Sequence, residues 1–121
     1  MSKNILIVDD KPEIAKVITI QLSKDYNVHS EGNPIEALAW MHAGNIPDLI
    51  ISDVNMPEMD GRTFLKQLKA SSTFNFIPVI ILSSLENSND RIELLEAGAS
   101  DFVLKPFNPQ ELKIRVRNLL R

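Results

Sequence analysis

Cysteine is absent from this chain of 121 residues, and no apolar run is long enough to cross a membrane. Without cysteine there is no disulfide framework, no thiolate zinc site and no thiol nucleophile. A membrane-spanning helix needs about 18 consecutive apolar residues, whereas the apolar runs here are short, so we expect no membrane insertion. The N-terminus lacks the cleavage-site pattern of a secretory signal, which makes the cytoplasm the expected compartment.

An excess of positive charge is also missing. Lysine and arginine total 13 against 16 aspartates and glutamates, which gives a net charge of −3. Nucleic-acid-binding domains are usually basic, so we expect no direct nucleic-acid binding. The composition is 44% hydrophobic and 24% charged, which is ordinary for a folded domain. The length predicts one domain, residues 1–121, and no internal linker is visible.

Short apolar runs alternate with helical patterns along the chain. The runs lack the polar alternation of one-sided strands, which is typical of parallel strands buried on both faces; they are Ile5–Val8, Leu49–Ile51, Val79–Leu82 and Phe102–Leu104, with a more polar, edge-like run at Tyr26–Ser30. Asn33-Pro34 and Asn108-Pro109 are helix-start signals, each followed by a glutamate. The alternation predicts a doubly wound α/β fold with a parallel sheet and helices on both faces. Between elements, Phe74 and Phe76 are both expected to pack against the core.

Polar side chains follow the predicted strands where they end. Asp9-Asp10 follow the first strand, Asp53 the third, Ser83-Ser84 the fourth and Lys105 the fifth. Ligands of open parallel sheets bind beyond the carboxyl ends of the strands, so these side chains are expected to converge. Clustered carboxylates repel one another, and a hard divalent cation such as Mg²⁺ relieves that repulsion. Together with an ammonium and a hydroxyl, such a site suits a phosphoryl group, and a carboxylate can itself be the nucleophile.

These residues carry a resemblance to a known family. The sequence resembles the receiver domain of two-component response regulators over essentially its whole length, in order and with family-like spacings. The matching motifs are Asp9-Asp10, Ser52-Asp53-Val54-Asn55-Met56-Pro57 with Asp60-Gly61, Ser83, and Lys105-Pro106-Phe107. The resemblance implies a flavodoxin-like fold whose five-stranded sheet has the order 2-1-3-4-5.

The resemblance also implies a role for each residue of the site. Asp53 is expected to accept a phosphoryl group from a histidine kinase or a histidine phosphotransfer protein. Asp10 and Asp53 are expected to ligate Mg²⁺ directly, Asp9 through water, and Asn55 through its backbone carbonyl. Lys105 is expected to contact the phosphoryl oxygens. On this reading the domain is a signalling phospho-acceptor and no enzyme beyond its own phosphorylation and dephosphorylation.

A switch is implied as well. Ser83 is expected to bind the new phosphate and Phe102 to change rotamer, which couples the site to the face formed by the fourth helix, fifth strand and fifth helix. That face is expected to control a downstream effector or an attached output domain. The basic C-terminal helix is read as a solvated face, with the alternative that it pairs with Glu96 and Asp101 of a second copy in a homodimer across this same face. The Lys105-Pro106 peptide is expected to be cis.

Four positions are candidate modulators of the switch or of phosphate lifetime. The switch hydroxyl at Ser83 is a serine where threonine is more usual, and Ser84 stands where alanine is frequent. Asn55 and Leu85 occupy positions at which the family varies.

Other function classes fit the residues less well. A receiver-like binding module that acts without phosphorylation is the main alternative, although the acids, Ser83 and Lys105 are all present. An aspartate-nucleophile phosphatase of the haloacid-dehalogenase type needs its nucleophile on the first strand with a second aspartate two residues later, whereas Asp9 and Asp10 are adjacent. A flavin carrier needs a hydroxyl-rich phosphate loop, which these two acids would oppose.

Overall fold

The computed structural model describes residues 2–56, 59–84 and 88–121. Strands and helices alternate throughout: β1 Asn4–Val8, α1 Pro12–Leu22, β2 Asn27–Glu31, α2 Pro34–His42, β3 Leu49–Asp53, α3 Gly61–Ala70, β4 Val79–Ser83, α4 Ser88–Glu96, β5 Asp101–Leu104 and α5 Pro109–Leu120. Each predicted strand is present. The edge strand begins one residue later than Tyr26, and the third and fourth strands extend to the polar residues Asp53 and Ser83.

All five strands are parallel and lie in the order β2-β1-β3-β4-β5, which confirms the doubly wound sheet. The strand order reverses between β1 and β3, where Val8 pairs with Ser52. Asp9 and Asp53 therefore leave neighbouring strands at the same edge of the sheet. This is where an open α/β sheet binds its ligands.

Two apolar layers, one on each face, hold the sheet between its helices. On β1, Ile5 and Ile7 belong to one layer, while Leu6 and Val8 belong to the other, as the two-residue period of a strand requires. The first layer is covered by α1 and α5, and the second by α2, α3 and α4. Burial on both faces explains why these strands read as continuous apolar runs.

The helix starts follow the predicted signals. Asn33 Oδ1 accepts a hydrogen bond from the backbone N–H of Glu36 at 2.9 Å, and Asn108 Oδ1 accepts one from Gln110 N–H at 2.8 Å. After α4, Gly98 takes a positive φ of 114°, a conformation that glycine adopts without steric cost. These local caps fix where each helix begins or ends relative to the sheet edge.

One packing prediction was wrong. Phe74 is buried, as expected, but Phe76 is 66% exposed. Both lie between α3 and β4, where no regular period links a position to a face. Within residues 2–56, 59–84 and 88–121, no helix combines the length and the apolar character needed to cross a bilayer.

Candidate functional site

Three carboxylates meet at the edge where the strand order reverses. Asp9 and Asp10 follow β1, Asp53 ends β3, and one oxygen from each lies within 4.8 Å of the others. Asp9 and Asp53 are only 3% and 2% exposed, whereas Asp10 faces solvent. The predicted convergence of these three residues is therefore present, with two acids beneath the surface and one at the rim.

Lys105 brings a positive charge to this cluster from the end of β5. Its Nζ lies 3.0 Å from Asp53 Oδ1 and 3.7 Å from Asp9 Oδ2. The backbone N–H of Lys105 donates to the carbonyl of Ser83 at 2.8 Å, which fixes the loop against β4. The Lys105-Pro106 peptide is cis, as expected from the family resemblance.

The buried carboxylates are only partly satisfied by hydrogen bonds. Asp53 Oδ1 accepts from the Val54 N–H at 2.8 Å, and Asp9 Oδ1 accepts from the Lys11 N–H at 2.9 Å. Within the described part of the chain, Asp9 Oδ2 and Asp53 Oδ2 have no hydrogen-bond partner. Burial raises the pKa of Asp9 above its usual value, although its hydrogen bond and the nearby lysines oppose that rise. Buried carboxylate oxygens without donors, close to a third carboxylate, fit the oxygen-ligand set of a divalent cation.

Lys11 is a second cation at the cluster, and sequence reasoning did not single it out. Its Nζ lies 3.5 Å from Asp10 Oδ1 and 3.7 Å from Asp53 Oδ2. Burial acts to lower the pKa of Lys11, but the combined carboxylates of Asp53, Asp10 and Asp9 raise it above its usual value. The available signal was its position immediately after the two acids.

Gly61 sets the backbone that carries Asp53, another role that the sequence motif alone did not reveal. The Gly61 N–H donates to the carbonyl of Val54 at 2.7 Å. A Cβ at this glycine would collide with the carbonyl oxygen of Asp53 and lie 2.8 Å from the Cα of Val54. The missing side chain therefore lets the start of α3 pack directly against the chain that leaves β3.

The other candidate residues surround the cluster at different depths. Ser83 is fully buried at the end of β4, one residue beyond Leu82, which pairs with Asp53. Ser84 and Asn55 are exposed and line the cavity that contains Asp53. Phe102 is half-buried on β5 and lies away from the acids, beside Ile92 and Leu95 of α4. Two further positions lie outside the described residues: Pro57, which belongs to the motif, and Leu85, which was named as a candidate modulator.

A groove of about 540 Å³ opens beside Asp53. Its polar end carries Lys11, Asn55, Ser84 and Lys105. The rest is formed mainly by apolar side chains of α1, of the segment that precedes α5 and of the first residue of α5: Ile14, Val17, Pro106, Phe107 and Pro109. The Asp53 carboxylate is thus almost fully buried, but it lines an open groove whose surface is largely apolar.

Comparison with known proteins identifies the class that this fold and site define. The family model for the response regulator receiver domain matches residues 5–117. The chain therefore belongs to the receiver domain family of two-component signalling.

Individual relatives agree with this assignment. The chain is 42% identical over 121 residues to the response regulator PleD of Caulobacter vibrioides, of which it covers 27%. Among solved structures, the chemotaxis response regulator CheY4 of Vibrio cholerae matches with a TM-score of 0.91 and 32% identity, covering 99% of this chain and all of that one. The receiver domain of the Francisella response regulator 1452 matches with a TM-score of 0.90 and 34% identity, covering 98% of this chain and 97% of that one. The chain spans about a quarter of PleD and about half of the response regulator Rre1 of Synechocystis.

Proposed function

We propose that residues 1–121 form one receiver domain that accepts a phosphoryl group on Asp53 from a histidine kinase or a histidine phosphotransfer protein. The observation that carries this proposal is the pairing of a buried Asp53 carboxylate with Lys105 at 3.0 Å, beside two further acids. A buried carboxylate at the end of a strand would not by itself indicate a function. An acid that is paired with a cation and faces an open groove is suited to group transfer.

In the proposed reaction, a carboxylate oxygen of Asp53 attacks the phosphorus atom. The bond between phosphorus and the donor nitrogen breaks, and its electron pair leaves with the donor. Lys105 stabilises the negative charge on the phosphoryl oxygens, which is the main demand of phosphoryl transfer. Mg²⁺, held by Asp10, Asp53 and the carbonyl of Asn55 with Asp9 through water, would neutralise the acids and the incoming phosphate.

The groove beside Asp53 provides the route for the donor. Its apolar part, which includes Ile14 and Phe107, offers a protein donor a contact surface next to the acceptor oxygen. Val17 on α1 is 45% exposed and extends the same surface. We propose that the phosphohistidine donor docks here, since a donor atom must come within bonding reach of a carboxylate that is almost fully buried.

The mass of the intact chain tests the proposal directly. Incubation with acetyl phosphate and Mg²⁺ is expected to add the mass of one phosphoryl group, and EDTA is expected to prevent the gain. If no adduct forms, the trial is repeated with beryllofluoride, which mimics the bound phosphoryl group without having to survive hydrolysis. Failure to gain mass, together with unchanged NMR spectra in beryllofluoride, would contradict phosphorylation and favour a binding module that acts without it.

The switch is proposed to run from Ser83 through Phe102 to the face of α4, β5 and α5. Beryllofluoride is expected to shift the amide resonances of Ser83 and Phe102. The reason is that Ser83, which is buried at the end of β4, lies next to both the acid cluster and β5. Ser83→Ala is expected to reduce the Phe102 shift by at least half. Ser23→Ala removes a hydroxyl from an exposed serine at the C-terminus of α1, outside the candidate site, and serves as the matched control. Equal Phe102 shifts in the wild-type and Ser83→Ala chains would contradict this route.

The same face is proposed to contact an effector, an output domain or a second copy. It exposes Ile92, Leu95 and Ile114. Asp101, however, already forms an ion pair with Arg115 of its own chain, at 3.0 Å, so a dimer that uses Asp101 must share or exchange this pair.

Sedimentation velocity with and without beryllofluoride is expected to show a larger species when the ligand is present. A monomer under both conditions would exclude phosphorylation-driven dimerisation of this domain.

A further inference from the structure

The two oxygens of Asp53 face two different lysines. Lys105 Nζ lies 3.0 Å from Oδ1, which also accepts the Val54 N–H. Lys11 Nζ lies 3.7 Å from Oδ2, the oxygen without a hydrogen-bond partner among the residues described. Lys11 also lies 3.5 Å from Asp10 Oδ1. Its ammonium therefore stands between two of the three carboxylates that could hold a divalent cation.

The helix that follows does not explain a lysine at this position. Lys11 is the N-cap residue of α1, yet within the described chain its side chain makes no capping hydrogen bond. N-cap positions favour serine, threonine, aspartate and asparagine, and the dipole of a helix disfavours a cation at its N-terminus. The attraction of the nearby carboxylates is the interaction that compensates for this placement.

We propose that Lys11 is a built-in counter-ion that competes with the divalent cation for the acid cluster. This inference rests on the proposed function, since it concerns the metal site of the same phospho-acceptor. In the metal-free protein, Lys11 Nζ lies between Asp10 and Asp53. When Mg²⁺ binds, the ammonium leaves and frees Asp53 Oδ2. Lys11 thereby sets the Mg²⁺ concentration at which the acceptor becomes competent.

The geometry makes this exchange easy. The backbone of Lys11 is fixed to the cluster, because its N–H donates to Asp9 Oδ1 at 2.9 Å. Its side chain, however, is 48% exposed, and both of its ion pairs are longer than a charge-assisted hydrogen bond. A flexible lysine stem can therefore carry the charge into solvent while the loop stays in place.

Mg²⁺ affinity measured without any phosphoryl donor tests the proposal. Mg²⁺ is titrated into ¹⁵N-labelled protein, and the dissociation constant is read from amide shifts of the residues around the cluster. Lys11→Met keeps the length of the stem and removes the charge. Ion pairs as exposed as these contribute only modestly, so the variant is expected to lower the Mg²⁺ dissociation constant by about 1.4-fold to fivefold. Lys11→Arg, which keeps the charge, is expected to stay closer to the wild type.

Lys113→Met is the matched control, because Lys113 pairs with Asp25 instead of the acid cluster, at 3.0 Å. This variant changes the net charge of the chain by the same amount as Lys11→Met does, and it is expected to leave the Mg²⁺ dissociation constant unchanged. An equal decrease in the two variants would assign the effect to net charge and overturn the proposal. An unchanged or higher dissociation constant in Lys11→Met would also overturn it.

The movement of the side chain gives a second measurement. The ε-methylene resonances of Lys11 are expected to shift during the Mg²⁺ titration with the same dissociation constant as the amides. Resonances that stay unchanged while the amides report binding would overturn the exchange and leave the proposed metal site intact. A wild-type chain that binds no Mg²⁺ would overturn the counter-ion proposal and the metal-dependent function together.

Discussion

A chain in which Asp53 is replaced by asparagine is expected to gain no phosphoryl mass from acetyl phosphate, whether or not Mg²⁺ is present. A neutral amide lacks the nucleophilic carboxylate oxygen that the reaction needs. The neighbouring acids are poorly placed to substitute for it. Asp9 lies 3.7 Å from Lys105 instead of 3.0 Å, and of the three acids only Asp53 lines the groove. We expect the yield of adduct to fall at least 100-fold, measured by intact mass spectrometry.

Asp60→Asn is the matched control for this variant. Asp60 Oδ1 accepts the Thr63 N–H at 2.9 Å and caps α3, and this hydrogen bond holds the pKa of Asp60 below its usual value. Asparagine caps a helix about as well as aspartate, so the control keeps the fold and should still be phosphorylated. An adduct of undiminished yield on Asp53→Asn would refute Asp53 as the acceptor. Loss of the adduct from both variants would point to disturbance of the loop instead of loss of the nucleophile.

The placement of the acids could be predicted because it depends on strand ends alone. Continuous apolar runs mark strands buried on both faces, and the residues that terminate those runs must meet at one edge of a parallel sheet. Asp9 and Asp53 follow from this rule without any knowledge of loop structure. Helix starts at Asn33 and Asn108 were equally local, since each cap satisfies backbone donors only a few residues away.

Features that depend on side-chain direction could not be read in the same way. Lys11 has a long, flexible stem, and nothing in its sequence neighbours says whether the ammonium turns toward solvent or toward Asp53. Gly61 is part of a recognisable motif, but the collision that excludes a Cβ involves a carbonyl on another element. Phe76 differs from Phe74 in burial although both follow the same helix, because a turn has no fixed period that links sequence position to a face.

Lys105→Met is expected to change two measurements in opposite directions. The rate of phosphorylation by acetyl phosphate should fall about 100- to 1,000-fold, the cost of removing one preorganised donor from a developing negative charge. Mg²⁺ affinity should rise, since the acid cluster loses a cation that lies 3.0 Å from Asp53 and 3.7 Å from Asp9. Rates by mass spectrometry and dissociation constants by NMR titration are measured on the same preparation, with Lys113→Met as the control.

The phosphorylation rate and the Mg²⁺ affinity together distinguish the role of Lys105 from that of Lys11, although both side chains carry the same charge. Lys105 is 17% exposed at its side chain, whereas Lys11 is 48% exposed. The more buried lysine faces the oxygen that is fixed by the Val54 N–H and is placed to act on the phosphoryl group. The more exposed lysine faces Asp53 Oδ2, which accepts no hydrogen bond from the residues that the structure describes, and it is placed to leave. Lys105→Met should therefore combine tighter Mg²⁺ binding with a collapse of the phosphorylation rate at every Mg²⁺ concentration. If saturating Mg²⁺ instead restored that rate, Lys105 would be only another counter-ion, and stabilisation of the phosphoryl group would have to come from elsewhere in the site.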